Sequence, residues 1–188
     1  DWDVSADEMR FDDGILSAEG TNRTTTILQI ASEHPGKLDD QITTKLKDNS
    51  YPNGCHIAEV EVDPDTGETE IVKYTILDDF GRLLNPLIVE GQVHGGVVQG
   101  LGQALTEHVV FDETGQLMTG SYMDYAMPRA DNMPHMDFHY TEDIPAIGID
   151  FGAKGCGEAG SIASPAAVIN AIVDALRVEG LDFIDMPA

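Results

Sequence analysis

Residues 152–171 read Gly152-Ala153-Lys154-Gly155-Cys156-Gly157-Glu158-Ala159-Gly160-Ser161-Ile162-Ala163-Ser164-Pro165-Ala166-Ala167-Val168-Ile169-Asn170-Ala171. Glu158 lies in a tight glycine-rich loop just ahead of an apolar helix. The glycines let the backbone approach a bulky group closely, and a short loop leaves the carboxylate little freedom. Such a carboxylate is a candidate general base, and burial would raise its pKa toward working pH. The plainer account is a glycine turn whose glutamate faces water or favours a helix N-terminus. Ser164 followed by Pro165 predicts the helix start, as N-cap and first helical position. The helix then runs through Leu176, with Gly180 as its C-cap.

Gly155-Cys156-Gly157-Glu158-Ala159-Gly160 also matches the dinucleotide pattern GxGxxG, in which the helix begins inside the motif. Pro165 argues against that reading, because it would fall inside such a helix and break it. The chain also ends too soon for the remaining βαβ units.

Upstream, residues 56–77 carry the clearest strand signal. Ala58, Val60 and Val62 alternate with Glu59 and Glu61, Asp63-Pro64-Asp65-Thr66-Gly67 makes a turn, and Ile71 to Leu77 return. Pro86 to Val110 reads as one long helix with Leu87, Val93, Val97, Val98, Leu101 and Leu105 near one side. It contains Gly91, Gly95, Gly96, Gly100 and Gly102. Each interior glycine costs about 1 kcal/mol against alanine, so five together imply another backbone or a ligand lying where a Cβ would be. Near the start, Asp12-Asp13-Gly14 between Met9-Arg10-Phe11 and Ile15-Leu16 predicts a tight hairpin. Residues 24–32 look like a short helix, 36–54 like a loop with room for one helical turn, and 111–140 like further strands and loops. No linker is rich enough to split the chain.

The chain has 188 residues, 10 Lys and Arg against 34 Asp and Glu, and a net charge of −24. Phosphate binding needs clustered cations, so this balance argues against nucleic acid and anionic membranes as partners. An apolar fraction of 41%, spread along the whole chain, argues against disorder. No apolar run approaches the ~18 residues of a membrane span. The start, Asp1-Trp2-Asp3-Val4, lacks a signal-peptide pattern and an initiator Met. The chain therefore reads as processed, or as cut from something longer. Two distant cysteines, Cys55 and Cys156, make no disulfide framework, and a reduced cytoplasmic setting is expected.

Lys154 to Gly160, with Ser164-Pro165-Ala166-Ala167-Val168-Ile169-Asn170-Ala171, resembles the C-terminal signature of the molybdenum hydroxylases. These are the xanthine dehydrogenase, aldehyde oxidase and aerobic carbon monoxide dehydrogenase enzymes. A second block is similar too: Asp78-Asp79-Phe80-Gly81-Arg82, Asn85-Pro86, then Gly91-Gln92-Val93-His94-Gly95-Gly96 through Leu105. The resemblance covers nearly the whole chain in order. It implies an α+β fold: β-hairpins, a long glycine-rich helix and a C-terminal helix, with residues 1–188 forming the C-terminal part of the molybdopterin-binding domain of a large subunit.

The resemblance also implies roles. Glu158 would be the general base at molybdenum, in an oxidoreductase that hydroxylates its substrate with oxygen from water. Gln92 would approach the molybdenum and its pterin, with Gly155 and Gly157 beside it, and no metal ligand is expected from this chain. Gly157-Glu158-Ala159-Gly160 suggests the cytosine dinucleotide form of molybdopterin. Electrons would leave through [2Fe–2S] clusters and FAD on partner domains or subunits, since no iron–sulfur cysteine pattern exists here. The substrate, a small molecule, could be an aldehyde, a purine, carbon monoxide or an N-heterocycle, because the selecting residues would lie upstream. The segment Ile144 to Asp150 is shorter than the family pattern and lacks its Asn-Pro near Gly152. A different class of function stays open: a non-catalytic binding or assembly module of the same fold. A cavity that borders the glycine helix and receives Glu158 would favour the enzyme, whereas a helix face that meets only protein would favour the module.

Other candidates have plainer readings. His135 and His139 stand four apart, a zinc spacing on a helix, but Pro134 and the alternation around them predict a strand, where they lie about 13 Å apart. His94 packs a helix or sits near the cofactor. Cys156 fills a tight loop more readily than it serves as a nucleophile. Lys154 either pairs with an anionic group or faces solvent. Asp63 to Gly67 is a hairpin turn rather than a calcium loop, because the twelfth position is Tyr74 instead of Glu.

Overall fold

The computed structural model describes residues 2–43, 45 and 48–188. They form two compact units, Asp1–Lys45 and Leu46–Ala188, divided within the polar stretch 36–54. In the first unit β1 (Met9–Asp12) and β2 (Ile15–Ala18) pair antiparallel, with Asp12 opposite Ile15. Asp13 and Gly14 take φ of +43° and +77°, both central residues of a turn that needs positive φ. β2 also pairs with β3 (Thr24–Thr26), and α1 (Ile27–Glu33) follows. The segment expected to be helical over 24–32 is thus strand first. Three β-branched threonines suit the pleated edge, and Thr26 then caps α1 by accepting from the Gln29 N–H. The helical turn expected within 36–54 is absent among the described residues; Thr44, Leu46 and Lys47 lie outside them.

The second unit is built on β4 (Asn53–Val62), β5 (Thr69–Asp79) and β6 (Met136–Thr141). β5 pairs antiparallel with β4 and parallel with β6. The turn between β4 and β5 forms as expected: Asp63 Oδ1 accepts from the N–H groups of Asp65 (2.8 Å) and Thr66 (3.1 Å). One face of β5 buries Ile71, Tyr74 and Ile76. They share a core with Phe80, with Val93, Val97 and Leu101 of α2 (Pro86–Leu105), and with Val168 and Ile172 of α3 (Ala159–Leu176). Two helices laid on one mixed sheet make the expected α+β architecture.

Helix α2 starts where its sequence says, with Asn85 Oδ1 accepting from the Ile88 N–H and Pro86 at the first position. It ends at Leu105, short of Val110. The Thr106 and Glu107 N–H groups both return to the Gly102 carbonyl. Val110 instead joins a small turn in which it accepts from the Met118 N–H (2.8 Å) while Phe111 bridges Leu117. A β-branched and aromatic run facing Asp112-Glu113-Thr114-Gly115 is better satisfied as a turn than as helix.

Helix α3 begins six residues before the expected start, with Glu158 as N-cap and Pro165 inside the helix. An interior proline costs about 3 kcal/mol, and here the Ser164 hydroxyl is also buried without a partner among the described residues. Contact with α2 compensates. A Cβ on Gly160 would sit 2.3 Å from the Val93 carbonyl oxygen, and one on Gly100 would sit 2.0 Å from Ser164 Oγ and 2.9 Å from Pro165 Cδ. The two helices touch through bare backbone, and that close approach extends α3 through its proline. At the C-terminus Arg177 caps α3, and Gly180, expected as the cap, instead closes the 3-10 turn Arg177–Glu179 that follows, with φ +86° and the Leu181 N–H reaching the Leu176 carbonyl. Among the described residues one helical stretch, Ala159–Glu179, is long and apolar enough by length and composition to cross a membrane. Its buried side packs on α2 and the sheet, as a core helix does.

Candidate functional site

The glycine loop is clamped at both ends. At its entry residues 152–154 run antiparallel to residues 80–82. The Lys154 N–H donates to the Phe80 carbonyl (2.8 Å), the Arg82 N–H donates to the Gly152 carbonyl (3.1 Å), and Gly81 bridges Ala153. Gly81 needs its φ of +61° and its missing Cβ, which would fall 2.2 Å from the Gly152 oxygen. The Lys154 ammonium reaches Asp79 Oδ2 (2.6 Å) and Asn53 Oδ1 (3.3 Å). This answers the question left open for Lys154: it pairs with a carboxylate, and both side chains are about nine-tenths buried. At the loop's exit Gln92 Nε2 donates to the Gly157 carbonyl (2.9 Å), and α3 begins two residues later.

Between the clamps lie Gly155, Cys156, Gly157 and Glu158. Cys156 packs toward the core, as the small-residue reading expects. Glu158 is exposed, and its side chain makes no cap bond, although its carbonyl accepts from the N–H groups of Ser161 and Ile162. Among the described residues the backbone N–H groups of positions 155–158 donate to no protein acceptor. Gly91, Gln92 and Gly95 share the exposed side of α2 next to this loop. A Cβ on Gly91, Gly95 or Gly157 would meet nothing within 4 Å, and one on Gly155 only the Ser50 oxygen at 3.9 Å. The five helix glycines therefore divide. Gly96 and Gly100 meet α3, Gly102 meets Pro128, and Gly91 and Gly95 face open space.

Unpaired N–H groups at a helix N-terminus suit an anionic oxygen. A side-chain amide whose oxygen is still available, beside a face without Cβ atoms, suits a flat polar ring. The loop and the bare face thus fit a pterin bearing an oxyanion. Two clefts elsewhere, one of about 470 Å³ at Tyr122, Met127, Pro128 and Arg129 and one of about 390 Å³ between residues 48–51 and 144–147, are lined by neither Gln92 nor Glu158. Neither of these two clefts receives Glu158.

Other candidates resolve plainly. His94 stacks edge-on to Phe138 at 6.1 Å, and its Nε2 is buried without a partner among the described residues. His139 lies in β6 and His135 just before it, and no group of three potential metal-binding side chains occurs among the described residues. One buried cluster escaped the sequence reading. The register sets His56 opposite Ile76, so Tyr74 and Asp78 flank it diagonally. Tyr74 Oη lies 3.0 Å from Nδ1 and Asp78 3.4 Å from Nε2. Burial, then the Asp78 charge, pushes the Tyr74 phenol up, so it stays protonated. An inward histidine in an alternating strand was the only signal available.

Pro165 no longer excludes the dinucleotide reading, since α3 contains it. The local context does. No strand among the described residues feeds the motif, only the antiparallel bridge Gly81–Ala153, and Gly160 packs against a helix rather than a strand.

Burial alone would raise the Asp79 carboxyl. The Lys154 hydrogen bond, the Gly81 N–H on Oδ1 and the Lys154 charge outweigh it, and the group titrates below the ordinary 3.8. A carboxyl depressed in the folded state stabilises fully above its unfolded pKa near 4, and the contribution vanishes as pH falls through the lower folded value. Asp79→Asn should therefore lower the melting temperature at pH 7 and converge with the parent protein once the pH has fallen through the depressed folded-state pKa of Asp79. Melting curves across that range check it; a constant offset would contradict the pairing.

The family model for the molybdopterin cofactor-binding domain matches residues 1–134. The chain belongs to that family. This molybdopterin cofactor-binding domain is 43% identical over 148 residues to the nicotine 6-hydroxylase large subunit of Paenarthrobacter nicotinovorans, covering 77% of the chain and 18% of that protein. It is 36% identical over 185 residues to subunit gamma of the 6-hydroxypseudooxynicotine dehydrogenase complex of the same organism, covering 93% of the chain and 23% of that protein. Quinoline 2-oxidoreductase from Pseudomonas putida 86 superimposes on 98% of the chain and 25% of its own, at a TM-score of 0.77 and 31% identity. The chain thus spans about a fifth to a quarter of these relatives. The family model stops before the glycine loop, whereas the last two likenesses run across it.

Proposed function

We propose that the domain is the C-terminal part of the large subunit of a molybdenum hydroxylase, with Glu158 as general base and Gln92, Gly155 and Gly157 against the cofactor. One observation carries this reading: the 2.9 Å bond from Gln92 to the Gly157 carbonyl. It joins two motifs 65 residues apart and sets an unpartnered carboxylate beside a helix face without side chains. The molybdenum cofactor, when bound, supplies the two-electron oxidation. The chain's own residues do the rest. The N–H groups of positions 155–158 hold anionic oxygen, the free Gln92 Oε1 accepts from a ring donor, and Glu158 takes the proton released as oxygen from water attacks an electrophilic carbon. Covering by the remainder of the subunit would dry the site and strengthen these interactions.

The relatives' names support one finer point, the substrate class. Three of them concern nicotine, a nicotine derivative and quinoline, so an N-heteroaromatic ring is the first substrate class to screen, with aldehydes and purines next. The cofactor is taken to be the cytosine dinucleotide form, the [2Fe–2S] and FAD centres to sit on partner subunits, and the enzyme to work in the cytoplasm. Native purification of the complete complex tests the reading. Molybdenum and pterin near one per copy, with iron and flavin co-purifying, are expected. A fully assembled complex with neither molybdenum nor pterin would leave a binding module instead.

A further inference from the structure

We infer that the Lys154–Asp79 ion pair is a positioning device for Glu158, holding the base from the side of the loop opposite Gln92. The inference rests on the reading of Glu158 given above. Among the described residues the Glu158 side chain makes no cap bond, so its place is set by the backbone that carries it. That backbone is four residues long from Lys154, and two of the three residues between are glycine, which restrict it least. Such a loop keeps one geometry only if both of its stems are fixed.

The exit stem is fixed by the Gln92 bond and by Gly160 lying on the α2 backbone. The entry stem is fixed at Asp79, whose carboxylate works with both oxygens. Oδ1 accepts from the Gly81 N–H (2.8 Å) and so sets the bend that aligns residues 80–82 with residues 152–154; Oδ2 takes the Lys154 ammonium (2.6 Å). Asn53 Oδ1, at the start of β4, accepts from the same ammonium (3.3 Å). Lys154 is thereby tied to the ends of two core strands as well as to the Phe80 carbonyl through its own N–H. A pair this deeply buried is a poor device for stability alone, because desolvation offsets much of its attraction. Its directional bonds specify geometry.

The test uses the complete holoenzyme. Lys154→Met and the doubly neutral Lys154→Met/Asp79→Asn both remove the tether, and the second leaves no uncompensated buried charge should the first fail to fold. In the tether-less enzyme kcat should fall by about 10²-fold, the scale of a misplaced catalytic group. KM should stay within about twofold and molybdenum and pterin content should be unchanged. Amide exchange at residues 155–158 should quicken about tenfold or more while β4 and β5 exchange as before. Lys154→Arg, which keeps the charge and the donors, should recover most of kcat. Unchanged kcat and unchanged loop exchange in the double variant would overturn the inference, as would a loss of kcat that only tracks lost cofactor. Glu158→Gln separates the two claims. If that variant keeps full turnover, the base assignment falls, whereas the loop exchange still reports on the tether. If it loses turnover while the tether-less enzyme does not, the assignment stands and the tether falls.

Discussion

Glu158→Gln in the complete enzyme is expected to lower turnover by about 10²- to 10⁴-fold, the range for loss of a general base. Folding and cofactor content should not change. The substitution is nearly isosteric, the side chain is exposed, and it makes no cap bond to the first turn of α3. The N-cap function of residue 158 is carried by its backbone carbonyl, which the amide variant retains. The loss should therefore appear in kcat and kcat/KM together, as for an interaction made in the transition state. Steady-state kinetics with molybdenum and pterin quantified in the same samples is the measurement. Activity within a few-fold of the parent enzyme would remove Glu158 from the chemistry.

Gly160→Val should be strongly destabilising. The Cβ would lie 2.3 Å from the Val93 oxygen, 2.6 Å from the Val97 nitrogen and 2.9 Å from the Gly96 carbonyl carbon. All three are backbone atoms of α2 and cannot rotate away. Overpacking of this kind costs typically 1–3 kcal/mol, and the upper end is expected here because the helices must separate along their contact. Turnover should fall as well, because separation draws the start of α3, and Glu158 with it, away from Gln92. The alanine series should follow Gly160, then Gly100, then Gly96. At Gly100 the nearest atom is a serine hydroxyl, and at Gly96 the nearest is 3.0 Å away. Thermal melts of the complete subunit check the order. Equal effects at the three positions would mean that the helices do not meet as described.

Much of the fold was legible because it is local. The Asp13-Gly14 and Asp63–Gly67 turns, the alternation of β4 and β5, and the Asn85-Pro86 start of α2 each follow from a few adjacent residues. The glycines of α2 showed that something must lie close to that helix. They could not show that Gly96 and Gly100 receive α3 while Gly91 and Gly95 remain open, since the two kinds are identical in one dimension. Likewise the two motifs carrying Gln92 and Glu158 were visible, but not the bond between them.

The start of α3 marks the boundary most clearly. Ser164-Pro165 is a strong local signal for a helix N-terminus, and it lost. Sequence by itself determined that a glycine loop with one carboxylate precedes an apolar helix, and that the chain is strongly acidic, with a net charge of −24. Only the tertiary structure decided that the helix begins at Ala159, that Lys154 is spent on Asp79, and that His56 is held between Tyr74 and Asp78. Each of these is settled by a partner distant in sequence. The contact of bare backbone between α2 and α3 recovers more than the hydrogen bond that Pro165 forgoes, and no local propensity contains that term.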